Sequence, residues 1–474
     1  MTRLRIVMAV LVATLLSATL VADPPARVVV VGGRILDVAS ARYREAGTIV
    51  IEGDRIAAIG DALPGGADAS ATRVEAAGRT IVPGLVDLAV TALPSPELDV
   101  DFHYALSLAH GVTAMRVVDA VLPWSVTQRD RARSGGLVAP RLWTSGPVLG
   151  ARAPTGPWAV LLEKEPRRAV VGIDPATAGR EASRQADARV DWVRLRADVP
   201  PDAVRAAVTP LARRGVSVSA APGATSMAQL AALGVDVIDG LAAPLRAPDG
   251  PASPGAAPGG GDVDAAIDAA WRGMGASDMT ALARRMAEAR VCVAPMLRVA
   301  GERVLAPGDA DLEAELALLP ERARAARRET IARSAREAGA PASGAIRAWE
   351  AQRRLVAALA AAGAPMGVAS GAGQDGWPVP GLAVHRELAL LVAAGLSPAQ
   401  AIRAATVGGA SALGAARLLG PIRVGAAADF FVVDGDPLAD IGALRRITHV
   451  VRGGEILDPT ALLAQAKRAA ARVR

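Results

Sequence analysis

The chain of 474 residues is long enough to bury a large apolar core and to form two or three domains. Apolar residues make up 51% of it and charged residues 21%, which excludes a disordered protein. The 53 basic and 47 acidic residues leave a net charge of +6 without a basic, aromatic-interleaved stripe, so no nucleic-acid partner is predicted. Cys292 is the single cysteine, which excludes an internal disulfide and a paired-cysteine metal site.

The first residues have the pattern of a targeting segment. Arg3 and Arg5 precede an uncharged run over residues 6–22, which ends at Asp23. A basic start, a short apolar stretch and small residues near its end are typical of a secretory signal peptide. We therefore predict a signal peptide over residues 1–22, a periplasmic or secreted mature chain, and no stable membrane span after cleavage. A membrane anchor stays open as the alternative, because about 17 apolar residues can just span a bilayer.

Strand-like segments rich in Val and Ile occur near both ends of the remaining chain. They span residues 28–38, 48–60, 424–441 and 448–458. Glycine-containing turns within the first two are typical of hairpins. We predict one small β-sandwich assembled from residues 28–80 and 421–458, followed by a C-terminal helix over residues 459–474.

Between these ends, short apolar runs alternate with helical segments rich in Ala, Arg and Glu. The predicted strands lie at residues 82–90, 112–118, 141–148, 191–196, 215–220, 235–239, 291–296 and 365–370. Eight strands separated by helices indicate a (β/α)8 barrel. The predicted fold class is thus α/β, with a TIM-type barrel over residues 82–415 and the small β-sandwich beside it.

Two insertions interrupt this alternation. Residues 247–262 are rich in Pro and Gly and predict a loop. Residues 309–363 are helical and Arg-rich, with breaks at Pro320 and Pro341. They form either a solvated amphipathic surface or a lid over the barrel mouth, and the sequence leaves both interpretations open.

Several motifs resemble those of one known family. The run over residues 81–93, with its Pro-Gly-Leu-Val-Asp core, resembles the opening barrel strand of the metal-dependent amidohydrolases, nearest their imidazolonepropionase- and prolidase-like branch. Residues 385–406 and the Asp-containing run over residues 428–438 resemble the same family. The resemblance implies hydrolysis of C–N bonds in amides, cyclic amides or dipeptides, by one or two divalent metals, typically zinc.

The family's metal ligands are absent from the matching positions. Ala89 and Thr91 stand where the family has His-x-His, and either Ala220 or Ala221 stands for the histidine of strand five. Arg194 stands at the family's carboxylated lysine, and a guanidinium stays protonated and has no lone pair for a metal. The remaining substitutions, at strands six and eight, are Gly240, Ser370 and Gly371. The histidines His103, His110, His385 and His449 all lie away from the strand ends.

We therefore predict no catalytic residue, no metal and no cofactor, and interpret the chain as an inactive ligand-binding or scaffold homologue. The alternative is an active hydrolase with a rebuilt or metal-independent site. Arg194 is either structural, paired with Asp87, Asp119 or backbone carbonyls, or binds a small anionic ligand. A homo-oligomer is compatible with the sequence. The predicted pocket-lining residues are Asp87, Ala89, Thr91, Asp119, Trp158, Arg194, Ala221, Gly240, Ser370, Gly371 and Asp375.

Overall fold

The structure is a computed structural model. It describes residues 27–60, 71–92, 99–151, 170–241, 271, 273–301, 304, 310–338, 343–373 and 378–472. Four predictions lie outside the described residues: the signal peptide over residues 1–22, the loop over residues 247–262, and the pocket residues Trp158 and Asp375.

Strands from the two ends of the chain form one eight-stranded sheet. The N-terminal strands are β1 (Arg27–Asp37), β2 (Arg42–Glu52), β3 (Arg55–Gly60), β4 (Thr72–Glu75) and β5 (Thr80–Pro83). The C-terminal strands are β15 (Phe430–Val433), β16 (Ile447–Arg452) and β17 (Glu455–Leu457). The order is β17-β16-β15-β5-β1-β2-β3, with β4 beside β1, and β15 runs antiparallel to β5 with Val432 opposite Ile81. Buried Val, Ile and Phe side chains on these strands form their own core cluster, since such residues pack well on a pleated surface.

The middle of the chain forms a barrel of parallel strands. Its regular strands are β6 (Leu85–Val90), β7 (Val112–Val117), β8 (Arg141–Thr144), β11 (Trp192–Leu195), β12 (Ser217–Ala220), β13 (Val237–Asp239) and β14 (Cys292–Ala294). Residues 366–372 take the eighth place: Met366 pairs with Val293 and Ala372 pairs with Val90. A bridge between Ser145 and Trp192 joins β8 to β11, which closes the ring. Two further strands, β9 (Val148–Ala151) and β10 (Val170–Ile173), extend the sheet beside β11.

Helices surround the barrel. They are α1 (Val100–Ala109), α2 (Trp124–Arg133), α3 (Ala178–Asp187), α4 (Pro201–Ala212), α5 (Met227–Ala232), α6 (Ala276–Ala289), α7 (Leu297–Gly301), α8 (Ala310–Leu316), α9 (Glu321–Ala338), α10 (Ser343–Ala361), α11 (Leu382–Ala393), α12 (Pro398–Arg403), α13 (Gly409–Ala412) and α14 (Pro459–Arg472). A π-helical turn (Ala404–Gly408) joins α12 to α13, and a 3-10 helix (Ile441–Arg445) precedes β16. No helix among the described residues is long and apolar enough to span a bilayer. The predicted α/β class, with a barrel and a sheet shared by both ends, is confirmed.

The helical insertion begins on the outside of the barrel. Leu316 and Leu319, at the end of α8 and just after it, pack in one apolar cluster with Phe102 of α1 and Ala466 of α14. Glu315 of α8 also forms an ion pair with Arg386 of α11. These contacts hold the start of the insertion against three outer helices. The lid over the mouth and the solvated amphipathic surface both stay open as interpretations of the insertion, and the domain bounds stay predictions.

Candidate site at the barrel mouth

The carboxyl ends of the parallel barrel strands converge at one end, which we call the mouth. In barrels of this kind, functional side chains come from the ends of several different strands. Here Asp119 follows β7, Arg194 lies on β11 and Asp239 ends β13. These three side chains contact one another, although they are far apart in the sequence.

Arg194 lies between two carboxylates. Its Nη1 is 2.8 Å from both carboxylate oxygens of Asp119, and its Nε donates to Oδ2 of Asp239 at 3.2 Å. The Arg194 side chain is 16% exposed, whereas both carboxylates are buried. Of the partners predicted for Arg194, the structure brings Asp119 to it and adds Asp239.

Arg116 completes the network from inside the barrel. Its Nη2 donates to Oδ1 of Asp239 at 2.6 Å, and its Nε donates to the carbonyl oxygen of Leu88. Its guanidinium carbon lies 4.8 Å from the ring centroid of Trp192, a cation–π contact. Sequence reasoning missed Arg116, although a charged residue in the apolar run over residues 112–118 is a usable signal. The two guanidiniums and the two carboxylates of this Arg–Asp network balance in charge.

Two buried donors beside the network have no hydrogen-bond partner among the described residues. One is Nη1 of Arg116 and the other is the hydroxyl of Ser219 on β12. Val218 and Ala220 pack among the helices, so the alternation of a strand directs Ser219 into the barrel. Because buried polar groups nearly always have partners, these two atoms can serve an acceptor such as water or a carboxylate oxygen.

Asp87 joins the first barrel strand to the eighth. Its carboxylate accepts hydrogen bonds from the amide of Ser370 at 2.9 Å, from the Ser370 hydroxyl, and from the amide of Ala89 at 3.2 Å. Burial raises the pKa of Asp87 to about 6, although the bonds from Ser370 and Ala89 and the charge of Arg116 act in the opposite direction. The hydrogen bonds of Asp87 all go to Ser370 and Ala89, so this pair connects two strands.

The other predicted pocket residues supply little chemistry. Ala89 and Thr91 are buried at the end of β6, and Ala221 follows β12. Gly240 and Gly371 end strands six and eight with left-handed backbone angles, φ +84° and +67°. Apart from the hydroxyl of Thr91, these side chains offer no polar group.

The histidines lie elsewhere. His110, which ends α1, has its Nδ1 2.8 Å from the carbonyl oxygen of Leu106, and Nε2 of His385 is 2.9 Å from the carbonyl oxygen of His110. Burial lowers the pKa of His110 to about 4 and that of His385 to about 3. Both imidazoles are therefore neutral at pH 7 and join α1 to α11.

The side chains that the structure describes at the mouth do not fit a divalent metal ion. Within the described part of the chain, no group of three or more His, Cys, Asp or Glu side chains could hold one. The carboxylates of Asp119 and Asp239 already contact guanidinium groups.

Comparisons with known proteins agree with the fold. Residues 269–457 match the model of the amidohydrolase family. A putative prolidase from Bifidobacterium longum is 22% identical, with 94% of this chain and 100% of that chain covered and a TM-score of 0.65. A Xaa-Pro dipeptidase with bound methionine in its active site is 18% identical (91% and 100% covered, TM-score 0.65), and molinate hydrolase is 17% identical (93% and 96% covered, TM-score 0.66). No curated protein matches the chain.

These comparisons correct one prediction and confirm another. The prediction that the protein uses no cofactor is contradicted, because the family match and the prolidase neighbours belong to a family that is typically metal-dependent. The predicted resemblance is confirmed: the chain matches the amidohydrolase family over residues 269–457 and shares the fold of prolidase-like amidohydrolases.

Proposed function

We propose that this chain is a ligand-binding homologue of the amidohydrolases that does not hydrolyse C–N bonds. The carrying observation is the Arg194 guanidinium between Asp119 and Asp239. Hydrolysis of an amide needs a group that activates water, and a carboxylate acts as such a base only when it can accept the proton. Here the oxygens of both carboxylates are engaged by the Arg194 guanidinium, a cation without a lone pair, which supports a binding role.

The ligand proposed for the mouth is a small molecule that carries a carboxylate. The unpartnered donors, Nη1 of Arg116 and the hydroxyl of Ser219, support it. Because the Arg–Asp network balances in charge, binding would depend on these directed hydrogen bonds more than on net attraction.

An active hydrolase with a metal-independent site is the alternative. It needs a nucleophile beside a base, and the structure places the Ser370 hydroxyl against the Asp87 carboxylate. The Asp87 carboxylate already accepts the amides of Ser370 and Ala89 within the strand contact, so its oxygens are engaged in holding the two strands together. This geometry favours the binding role over nucleophilic catalysis.

A hydrolysis assay tests the proposal. The purified chain is incubated with Xaa-Pro dipeptides and cyclic amides, with and without added zinc or manganese, and product amine is measured. We expect equal, background rates for the wild type and for Asp119→Asn, which keeps the shape of the side chain. Turnover by the wild type that falls at least about tenfold in Asp119→Asn would show that the mouth is catalytic and would overturn the proposal.

Ligand binding is tested separately by thermal denaturation with acetate and with N-acetylproline. We expect either probe to raise the melting temperature of the wild type and to lose this effect in Ser219→Ala. Ser134→Ala, an exposed serine-to-alanine change, serves as the matched control. An equal rise in all three proteins would mean that the anion acts elsewhere.

We also propose that the protein is exported, from the pattern of residues 1–22. N-terminal sequencing of the protein from fractionated cells should find a chain that begins near Asp23 outside the cytoplasm. An intact Met1 in the membrane fraction would support the anchor instead.

A further inference from the structure

The two glycines that end strands six and eight face the same side chain. A Cβ added to Gly371 would lie 2.8 Å from Cγ2 of Val299 and 3.1 Å from Cε of Met296. A Cβ added to Gly240 would lie 3.8 Å from Sδ of Met296. The Met296 side chain therefore lies across the ends of strands six and eight, over two positions that are glycine and carry no side chain.

Met296 is held in this place by its backbone and by the helix that follows. Its φ is +53°, a left-handed conformation that costs a non-glycine residue of order 1 kcal/mol and needs support from its surroundings. The support comes from Glu387 of α11, whose buried carboxylate accepts the amide of Leu297 at 2.8 Å and that of Arg298 at 2.7 Å. The Arg298 guanidinium also donates to the carbonyl oxygen of Ser370.

Below Met296 lies the apolar part of the barrel interior. Met296 packs against a buried cluster that includes Cys292, Ala294 and Ala369. Cys292 is the only cysteine of the chain and is buried, and burial raises the pKa of its thiol to about 12. A thiol reagent thus has one possible target, which belongs to the buried cluster against which Met296 packs.

We propose that Met296 is a built-in plug of the barrel mouth, which Glu387 holds in its closed position. The plug occupies the space that Gly240 and Gly371 leave and covers the apolar cluster that contains Cys292. The plug acts sterically. The proposal does not depend on whether the mouth binds or hydrolyses a ligand, so it goes beyond the proposed function.

Reaction of Cys292 with a thiol reagent under native conditions tests the plug. In Met296→Ala the path from the mouth is open, and we expect labelling to be at least about tenfold faster than in the wild type. Met296→Leu keeps the side-chain volume and should stay within about twofold of the wild type. Met286→Ala is the matched control, because it truncates a buried methionine of α6 on the helix side of the barrel.

The controls separate a plug from general loosening. Equal acceleration in Met296→Ala and Met286→Ala would mean that Cys292 reacts through global opening, and an unchanged rate in Met296→Ala would mean that nothing passes between the two strand ends. Either result would overturn the proposal. If Met296→Ala does not fold, Glu387→Gln tests whether Glu387 holds Met296 in place. This variant should accelerate labelling of Cys292 without a matching fall in the urea midpoint. An unchanged labelling rate would contradict the role of Glu387.

Discussion

Two groups of buried carboxylates near the mouth are held in different ways. Asp119 and Asp239 contact the guanidiniums of Arg194 and Arg116, so each negative charge meets a positive one. Asp87 and Glu387 are held mainly by backbone amides, with the Ser370 hydroxyl as a further donor to Asp87. The first group should therefore respond to the loss of a partner, and the second group to pH.

The charge of the second group is the less well compensated. Burial raises the pKa of Glu387 to about 7, although the bonds from Arg298 and Leu297 lower it, and the nearby charge of Asp87 raises it further. The pKa of Asp87 is raised to about 6 for the same main reason. Neutral donors thus keep these carboxylates in place without restoring the solvation of the charge.

The largest effect is expected from breaking the first group. Asp239→Ala removes the carboxylate that Arg116 and Arg194 share, which leaves a buried guanidinium without its anion. We expect the free energy of unfolding in urea to fall by about 3–5 kcal/mol. The control is Asp187→Ala, which breaks an ion pair with Arg214 whose side chains are 71% and 41% exposed, and should cost at most about 1 kcal/mol. Similar costs for both would refute the view that the network is a buried, charge-balanced unit.

The raised pKa values of Asp87 and Glu387 should make the free energy of unfolding depend on pH. Because the pKa of Glu387 is higher in the folded chain than its usual 4.5, the folded state binds the proton more tightly than the unfolded state. The stabilisation that results from this tighter proton binding is fully present below pH 4.5 and is lost as the pH rises through about 7. For Asp87 the corresponding pH values are 3.8 and about 6. At about 1.4 kcal/mol per pH unit, Glu387 contributes at most ~3 kcal/mol.

Urea unfolding at pH 5 and pH 8 measures this dependence. The fall in unfolding free energy between the two values should be smaller in Glu387→Gln than in the wild type, since the amide does not titrate. Parallel pH profiles for the two proteins would show that Glu387 does not titrate in this range.

The smallest effects on stability are expected at the two glycines that follow these groups in the sequence. Gly240 comes after Asp239 and Gly371 after Ser370, and both have left-handed backbone angles. Alanine at Gly240 should cost about 1 kcal/mol of stability from backbone strain alone. Alanine at Gly371 should cost about 1–2 kcal/mol more, because its Cβ also overlaps Val299 at 2.8 Å. Equal melting temperatures for the two variants would contradict the close packing at strand eight.

Most of the fold could be predicted because it depends on local patterns. Each predicted barrel strand coincides with observed strand residues or bridges, since short apolar runs between helical repeats mark buried parallel strands. The eighth strand differs in form: residues 366–372 form one bridge to each neighbouring strand and no regular ladder, and Gly367 and Gly371 interrupt the apolar run. The pairing of the two chain ends in one sheet followed from their shared Val- and Ile-rich character.

The site was harder to predict because its contacts are long-range. Arg116 and Asp239 are 123 positions apart, and only the closed barrel brings them together. The alternation of side chains along a strand predicts that Asp239 points into the barrel with Val237, but it does not identify the residues that contact Asp239. Met296 gives no signal of its own, because a methionine is not a residue expected at positive φ.

The position of β15 has a consequence for how the chain is made. β15 pairs with β5, yet Phe430 and its partner Pro83 are separated by roughly 350 residues. At ribosomal rates of about 5–20 residues per second, synthesis of β15 follows that of β5 by tens of seconds, and the apolar edge of β5 stays unpaired for that time. An unpaired strand edge invites pairing with other chains. We therefore expect nascent chains that stop before residue 430 to require a chaperone, whereas the finished chain covers this edge itself.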